Sequence, residues 1–221
     1  MKRIINNPGN LTDESLDMTT NKVRAIILNN LYITIVDYEN VLMLPGGKVE
    51  YGENEREALT RELKEELGLD ICNYKVIPFV EYKHYLHNYP SKNGEVINRL
   101  VTTKYFIVKT ANKIDLSKNN LTESEKNQTF IAFNKSILFI DSLINNYKSN
   151  NPRWPYFEKE LKDILCELKI VFKELFEDAA REAVQDPNSW KMIPDTAVYI
   201  DNDNAIRLIK NNKKVADYSW S

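Results

Sequence analysis

The sequence has little of several features, and each shortage argues against a class of protein. Its 221 residues include only two cysteines, which are too few and too far apart to predict a disulfide framework or a zinc site. The formal net charge of −2 disfavours non-specific binding of nucleic acid through a basic surface. No apolar run is long enough to cross a membrane, and the first residues lack a signal peptide's apolar core. We therefore expect a cytoplasmic protein with no membrane partner and no disulfide partner.

The chain is nevertheless long enough, with 43% hydrophobic residues, to bury a sizeable core. Residues 1–20 are polar and are expected to form an N-terminal arm. Residues 21–148 are predicted to form one α/β domain, and residues 149–221 a C-terminal extension that begins with a polar linker. The expected organisation is therefore one domain with an extension at each end.

Short runs rich in β-branched and aromatic residues predict the strands of this domain. They are 23–28, 32–37, 41–44 and 75–85 and, further along the chain, 100–109 and 130–133. A helix is predicted over residues 137–147.

The most informative segment is the run from Leu44 to Leu69, which crowds acidic residues between glycines. Asn54 is a suitable N-cap, and Glu57 three residues later completes a capping box. Gly68 can take the left-handed position that ends a helix. The spacing therefore predicts a helix from Glu55 to Leu67.

On this helix, three leucines share one apolar stripe: Leu59, Leu63 and Leu67. Glu62 and Glu66 lie just beside the stripe and Glu65 a little further round, whereas Arg61 and Glu57 are expected on the far side. Like charges in one helical turn destabilise a helix, so the crowding requires a reason. Three carboxylates supply the hard oxygen ligands that Mg²⁺ or Mn²⁺ prefers. The alternative is an ordinary solvated acidic face.

Gly47, Glu53 and residues 61–69 have the spacing of the Nudix box, and the segment resembles that motif at every defined position. With the apolar runs around it, the resemblance extends over residues 21–148. It implies a Nudix-like α/β/α sandwich with a mixed sheet. It also implies a hydrolase that uses Mg²⁺ or Mn²⁺ to break a pyrophosphate bond in a nucleotide, dinucleotide or nucleotide sugar, with water attacking phosphorus.

The same resemblance implies roles for the residues of the box. Glu62, Glu65 and Glu66 are expected to bind the metal together with the carbonyl of Gly46. Glu53 is expected to support this cluster, and Arg61 to orient the glutamates through ion pairs. Glu62 is also a candidate general base, and further candidates for a base or ligand are Glu123 and Glu125.

Residues outside the box must recognise the substrate. The candidates on the strands after the helix are Tyr82, His84, Tyr85, Arg99 and Lys104. Tyrosines can stack on a base, and His84, Arg99 and Lys104 can contact phosphate. The alternative is a strand edge whose aromatic residues merely favour β-structure.

The C-terminal extension is predicted to contain a long amphipathic helix. Apolar residues recur at helical spacing from Phe157 onward, and Pro187 prevents the helix from continuing much beyond Val184. The apolar face is expected to pack on the domain, with a homodimer as the alternative. Residues 196–200 and 205–209 are possible short strands.

Three functions compete on this evidence. The first is a metal-dependent pyrophosphohydrolase of a small-molecule nucleotide. The second is a catalytically silent nucleotide-sensing module, for which the complete set of glutamates would have no use. The third is a diphosphate isomerase on the same fold, which would need an active-site cysteine. Cys72 lies just beyond the box and Cys166 in a predicted helix core, so neither cysteine favours the third function.

Overall fold

The computed structural model describes residues 1–29, 32–91, 93–110, 114–121, 130–136, 140–149, 156–185, 196–200, 205–210 and 213–219. The chain divides into two compact units. The first contains Met1–Ile26, Leu44–Val108 and Asn112–Glu123, and the second contains Ile27–Met43, Lys109–Ala111 and Ser124–Ser221. No described helix is long and apolar enough to cross a membrane.

The first unit is built on a mixed sheet. Its strands lie in the order β1 (Lys2–Asn6), β5 (Val76–Pro90), β6 (Val96–Lys109) and β2 (Met18–Asn29). Strand β1 pairs parallel with β5, and β5 pairs antiparallel with β6. Helix α1 (Glu55–Leu67) comes after the loop that contains Gly46 and Gly47. The mixed sheet and its helix confirm the expected α/β class.

The N-terminal segment is not wholly an arm outside the fold, because strand β1 belongs to the sheet. Ile4 faces Tyr82 in the register, and Asn6 faces His84. The short run that contains Ile4 and Ile5 looks too polar to form a strand by itself. It becomes one because its partner strand, distant in sequence, supplies the backbone hydrogen bonds.

The second unit takes up the end of β2. Here Leu28 pairs with Ile33 of β3 (Tyr32–Tyr38), and β3 pairs antiparallel with both β4 (Val41–Met43) and β7 (Phe130–Ser136). Helices α2 (Ile140–Asn146) and α3 (Tyr156–Gln185) follow. A separate antiparallel sheet consists of β8 (Thr196–Ile200), β9 (Ala205–Lys210) and β10 (Lys213–Ser219). Strands β8 and β9 confirm the two predicted C-terminal strands, and β10 was not predicted.

Helix α3 has the predicted apolar face. In the part whose side chains are described, the buried apolar residues are Phe157, Leu161, Ile164, Leu165, Leu168 and Val171. The helix packs on β4 and α2 within its own unit, so this face gives the alternative of a homodimer no support. Cys166, which was expected in the helix core, is exposed instead.

Candidate active site

Helix α1 begins and ends where its capping residues predict. The side chain of Asn54 accepts hydrogen bonds from the backbone N–H groups of Arg56 and Glu57, both at 3.0 Å. The Glu57 carboxylate in turn accepts from the Asn54 N–H at 2.8 Å, which completes the capping box. Gly68 closes the helix in the left-handed conformation, with φ at 62°. The three leucines of the predicted stripe are fully buried, so this face fixes the helix against the sheet.

The loop before the helix, residues 44–47, is held against strand β2. The Ala25 N–H donates to the Pro45 carbonyl at 2.8 Å, and the Val23 N–H donates to the Gly47 carbonyl at 2.9 Å. Backbone bonds of this kind fix the loop almost as firmly as a strand pairing. The loop therefore has a defined position relative to the helix that follows it.

The two glycines of this loop are required by close contacts on opposite sides. Gly46 has φ at 128°, and a Cβ atom there would lie 2.3 Å from the Val23 carbonyl oxygen. A Cβ atom on Gly47 would lie 2.4 Å from the carboxyl atoms of Glu62. The loop is thus pressed between strand β2 and the carboxylates of α1.

Arg61 joins the acidic residues of the box. Its Nε donates to Glu53 at 2.6 Å, and its Nη1 donates to Glu62 at 2.9 Å and to Glu65 at 3.0 Å. Its Nη2 donates to the Lys48 carbonyl and to the second oxygen of Glu53, both at 3.0 Å. We call Glu53, Arg61, Glu62, Glu65 and Glu66 the carboxylate cluster.

The expectation that Arg61 lies on the far side of the helix with Glu57 is wrong. Arg61 binds the cluster, and Glu57 is occupied as a cap. Helical spacing takes no account of the segment before the helix. That segment places Glu53 and the Lys48 carbonyl within hydrogen-bond distance of Arg61. The orienting role that the resemblance implies for Arg61 agrees with these contacts.

Comparison with known proteins bears on this arrangement. The model of the NUDIX domain matches residues 23–132. An RNA pyrophosphohydrolase of Campylobacter jejuni is 30% identical over 142 residues, which cover 58% of this chain and 84% of that protein. The chain belongs to the Nudix family.

Two further similarities are more limited. An 8-oxo-dGTP diphosphatase of Haemophilus influenzae is 39% identical over 56 residues, which cover 25% of this chain and 38% of that protein. A solved Nudix hydrolase from Nitrosomonas europaea covers 69% of this chain and 89% of its own, at 19% identity and a TM-score of 0.43. The family and the first relative identify this Nudix protein as a pyrophosphohydrolase.

The electrostatics of this Nudix site differ from one carboxylate to the next. The Arg61 guanidinium lowers the pKa of Glu53 to about 2, chiefly through its hydrogen bonds. Burial raises the pKa of Glu62, although the neighbouring Arg61 opposes that shift. The hydrogen bond to Glu53 raises the pKa of Arg61, so Arg61 stays charged at any ordinary pH. The cluster therefore holds one stabilised carboxylate beside one that is costly to ionise.

The donor atoms of the cluster fit a divalent cation by their chemistry. In the described part of the chain, no group of three or more His, Cys, Asp or Glu side chains is arranged to hold a metal ion. Glu62 and Glu65 instead converge on one nitrogen of Arg61, and Glu66 accepts from the Gly46 N–H at 2.8 Å. Two carboxylates that already face one positive centre, with a third bound to a backbone N–H of the loop, offer the hard oxygens that Mg²⁺ or Mn²⁺ takes.

A surface depression of about 530 Å³ opens beside the cluster, where Glu53 forms part of its wall. Val49, Val76 and Phe106 give it apolar surface, and Asn21 adds a polar group. Small-molecule sites have this size and this mixture of surfaces. The Nudix box thus borders a depression of the size that small-molecule sites have.

Two of the predicted substrate contacts are excluded by burial. The side chain of Tyr82 is fully buried, so it cannot stack on a base. His84 is also buried, and its Nε2 lies 2.9 Å from the Asn6 side-chain amide. Both lie on one face of the strand, because alternate residues face opposite sides of the sheet, and Ile4 and Asn6 of β1 lie beside them in the register.

The other three candidates have partners within the protein. Tyr85 donates to Asp13 at 3.1 Å, Arg99 donates to the Thr20 hydroxyl at 2.9 Å, and Lys104 pairs with Glu55. Their roles in substrate binding stay predictions. Glu123 and Glu125 lie outside the described residues, and their roles as base or ligand stay predictions too.

Sequence reasoning missed one residue of the site, Arg24. It is only 3% exposed, and its Nη1 donates to the Leu44 carbonyl and, at 3.3 Å, to the Gly46 carbonyl. The available signal was a single charged residue inside the otherwise apolar run 23–28. Buried arginines of this kind are held by hydrogen bonds to neighbouring groups.

Proposed function

We propose that this Nudix protein uses Mg²⁺ or Mn²⁺ to hydrolyse a pyrophosphate bond in a nucleoside diphosphate derivative, by attack of water on phosphorus. The observation that carries the proposal is the carboxylate cluster, in which Arg61 binds Glu53, Glu62 and Glu65 within 3.0 Å. Glu66, the remaining member of the cluster, accepts from the Gly46 N–H at 2.8 Å. A structural ion pair would need one carboxylate, and this guanidinium gathers three.

The chemistry faces two obstacles, the negative charge of the phosphates and the weakness of water as a nucleophile. A bound divalent cation neutralises phosphate charge and lowers the pKa of a water. The chain's own task is to hold oxygens in place around it: Glu62, Glu65 and Glu66 on one helical turn, with Arg61 fixing two of them. A carboxylate of the cluster then takes the proton of the attacking water, a contribution of about 10²–10⁴-fold.

The first substrate candidate is the 5′-triphosphate end of RNA. The similarity to the RNA pyrophosphohydrolase extends over 84% of that relative, whereas the similarity to the 8-oxo-dGTP diphosphatase extends over 38% of that one. A match along most of a relative includes residues outside the box, and substrate recognition depends on those residues. The short match covers a quarter of this chain.

The test measures phosphate or pyrophosphate release from a panel of substrates with Mg²⁺ and with Mn²⁺. The panel is a 5′-triphosphorylated RNA oligonucleotide, 8-oxo-dGTP, dGTP, ADP-ribose, NADH, a dinucleoside polyphosphate and capped RNA. We expect the triphosphorylated RNA to give the highest kcat/KM and chelation by EDTA to stop turnover. A higher kcat/KM for another compound of the panel would make that compound the substrate in place of triphosphorylated RNA. Full activity in EDTA would contradict the metal requirement.

The matched variants are Glu66→Gln and Glu50→Gln. Glutamine keeps an oxygen that accepts from the Gly46 N–H, so Glu66→Gln should fold but lose at least about 10²-fold in kcat/KM. Glu50 lies in the same acidic segment, but its side chain is exposed and pairs with Lys48 at 3.7 Å, whereas its bonds to Glu53 are made by its backbone, which the substitution keeps. Glu50→Gln should therefore turn over normally. Equal activity of the two variants would contradict the assignment of the cluster.

A further inference from the structure

Arg24 is an unusual residue for its position. It lies in strand β2 among Val23, Ala25 and Ile26, all fully buried, and is itself only 3% exposed. A charge in such surroundings costs several kcal/mol unless hydrogen bonds hold it. Since an apolar residue would fill this position without that cost, the contacts of the guanidinium indicate what the charge is for.

Those contacts complete a regular pattern on the glycine loop. The backbone of β2 binds the carbonyls of Pro45 and Gly47, and the Arg24 side chain binds the two carbonyls that alternate with them. All four successive carbonyls of residues 44–47 therefore accept hydrogen bonds from three consecutive residues of one strand. Both of these bonds come from one nitrogen, Nη1, whose two N–H groups have fixed directions because the guanidinium is planar.

One of these carbonyls belongs to Gly46, the backbone group expected to bind the cation. The two peptide units that flank the Gly46 Cα are both held, since the Gly46 N–H donates to Glu66 and the Gly46 oxygen, in the following peptide, accepts from Arg24. A carbonyl oxygen has two lone pairs, so the bond to Arg24 leaves one for a cation. Gly46, with φ at 128°, has glycine's conformational freedom, and without these bonds the peptide unit that carries its carbonyl oxygen could rotate.

We propose that Arg24 is a positioning residue that holds the Gly46 carbonyl in the orientation in which it binds the divalent cation. The inference rests on the proposed metal-dependent function. Arg24 touches neither substrate nor cation and acts through the Gly46 peptide. Outer partners of metal ligands typically change metal affinity by about 10–100-fold when they are removed.

A positioning role and a purely electrostatic role for Arg24 predict opposite changes in cation affinity when the arginine is removed. The positive charge of Arg24 repels a cation at the cluster, and it acts on Glu62 as a nearby charge. If charge were its only effect, Arg24→Met would bind the cation more tightly and Arg24→Lys would bind it as the unmodified protein does. If Arg24 orients the carbonyl, Arg24→Lys weakens binding, because a lysine keeps the charge but its freely rotating ammonium does not fix the direction of its N–H groups as the planar guanidinium does.

The experiment measures Mn²⁺ binding to the full chain by calorimetry, without substrate, for the unmodified protein, Arg24→Lys, Arg24→Met and Arg56→Met. Arg56 is the matched control, because its guanidinium also binds two carbonyls, those of Cys72 and Tyr74, and neither belongs to the cluster or to residues 44–47. We expect Arg24→Lys and Arg24→Met to bind Mn²⁺ about tenfold more weakly and Arg56→Met to bind normally. At saturating Mn²⁺ the kcat of Arg24→Lys should return to within about threefold of normal, because excess metal compensates for a weakened ligand.

Binding by Arg24→Lys within twofold of the unmodified protein would overturn the inference. Should Arg24→Lys fail to fold, Arg24→Met decides, and equal or tighter binding by that variant would overturn it. In either case an unmodified protein that binds Mn²⁺ and hydrolyses its substrate leaves the proposed function standing. An unmodified protein that binds no Mn²⁺ would overturn the metal site itself, and the inference with it.

Discussion

The box segment, residues 44–68, and the strand segment 81–89 both gather polar side chains, but their partners come from different distances along the chain. Within the box, Arg61 binds acceptors one, four and eight residues away. In the strand, Glu81 and His84 bind partners 78 residues away, and Tyr85 binds one 72 residues away. The box is thus assembled by helix and turn geometry, whereas the strand contacts depend on the sheet being complete. A sequence motif reports the first kind of contact and is silent on the second.

This difference explains which parts of the site could be predicted. The caps of α1 act within three residues, and the helix has the predicted bounds. The candidates Tyr82 and His84 were chosen by residue type alone, without the neighbouring strand β1 that buries them. If the comparison is correct, changes in the box should affect catalysis and changes in the strand should affect stability.

The largest expected effect is on catalysis, from Gly47→Ala. The new Cβ would lie 2.4 Å from the Glu62 carboxyl atoms, and the flexible end of Glu62 would have to move. Because a displacement of about 1 Å in a catalytic group costs about 10²-fold, we expect kcat/KM to fall by about that factor with little change in Tm. The contrasting variant is Gly94→Ala, where no atom lies within 4 Å of the added Cβ but φ at 87° strains an alanine, so it should lower Tm and leave kcat/KM unchanged. Normal turnover by Gly47→Ala would show that Glu62 is not held against the loop.

The next effect is on stability, from Arg3→Met in strand β1. The Nε of Arg3 donates to Glu81 at 2.6 Å, and the Glu81 side chain is only 11% exposed. Loss of this partner leaves a largely buried carboxylate unpaired, so unfolding in urea should become about 2 kcal/mol easier. The double variant Arg3→Met with Glu81→Gln should recover part of that loss, because an amide costs less to bury. If Arg3→Met lowered kcat/KM more than threefold without changing stability, it would contradict the expectation that contacts of the strand segment serve stability and not catalysis.

A smaller effect with a characteristic pH dependence is expected from Glu53→Gln. The folded-state pKa of Glu53 is about 2, below the usual value of 4.5, so the ionised carboxylate stabilises the fold above pH 4.5. That contribution is lost as the pH falls from about 4.5 toward 2. Urea unfolding should therefore show the variant about 1 kcal/mol less stable at pH 7 and nearly equal to the unmodified protein near pH 2. A difference that stays constant with pH would contradict the role of the Arg61 pairing.

The smallest effect is expected from Tyr85→Phe, which removes only the hydrogen bond to Asp13 at 3.1 Å. A single bond of this kind contributes about 0.5–1.5 kcal/mol, and this one is partly open to solvent, so the change should lie at the lower end. Thermal unfolding checks the stability and kcat/KM checks the role. A tenfold loss of kcat/KM would restore Tyr85 as a substrate contact and break the comparison.

The elements of the fold that could be predicted are those that have a signal in their own sequence. Strands β5 and β6 lie where the β-branched and aromatic runs indicate, although both extend further once they pair. Strand β1 has no such signal, since its existence depends on β5. The direction of Arg61 was mispredicted because helical periodicity contains no information about the loop that crosses it.

The glycine loop behaves unlike most loops in one respect. Surface loops usually accept an added residue, but here backbone and side-chain donors of β2 alternate along residues 44–47. One inserted residue would exchange the carbonyls that meet the backbone with those that meet Arg24, much as a slip of one residue turns a strand over. The length of this loop is therefore fixed as strictly as its sequence, and natural or engineered insertions should be found only on either side of it.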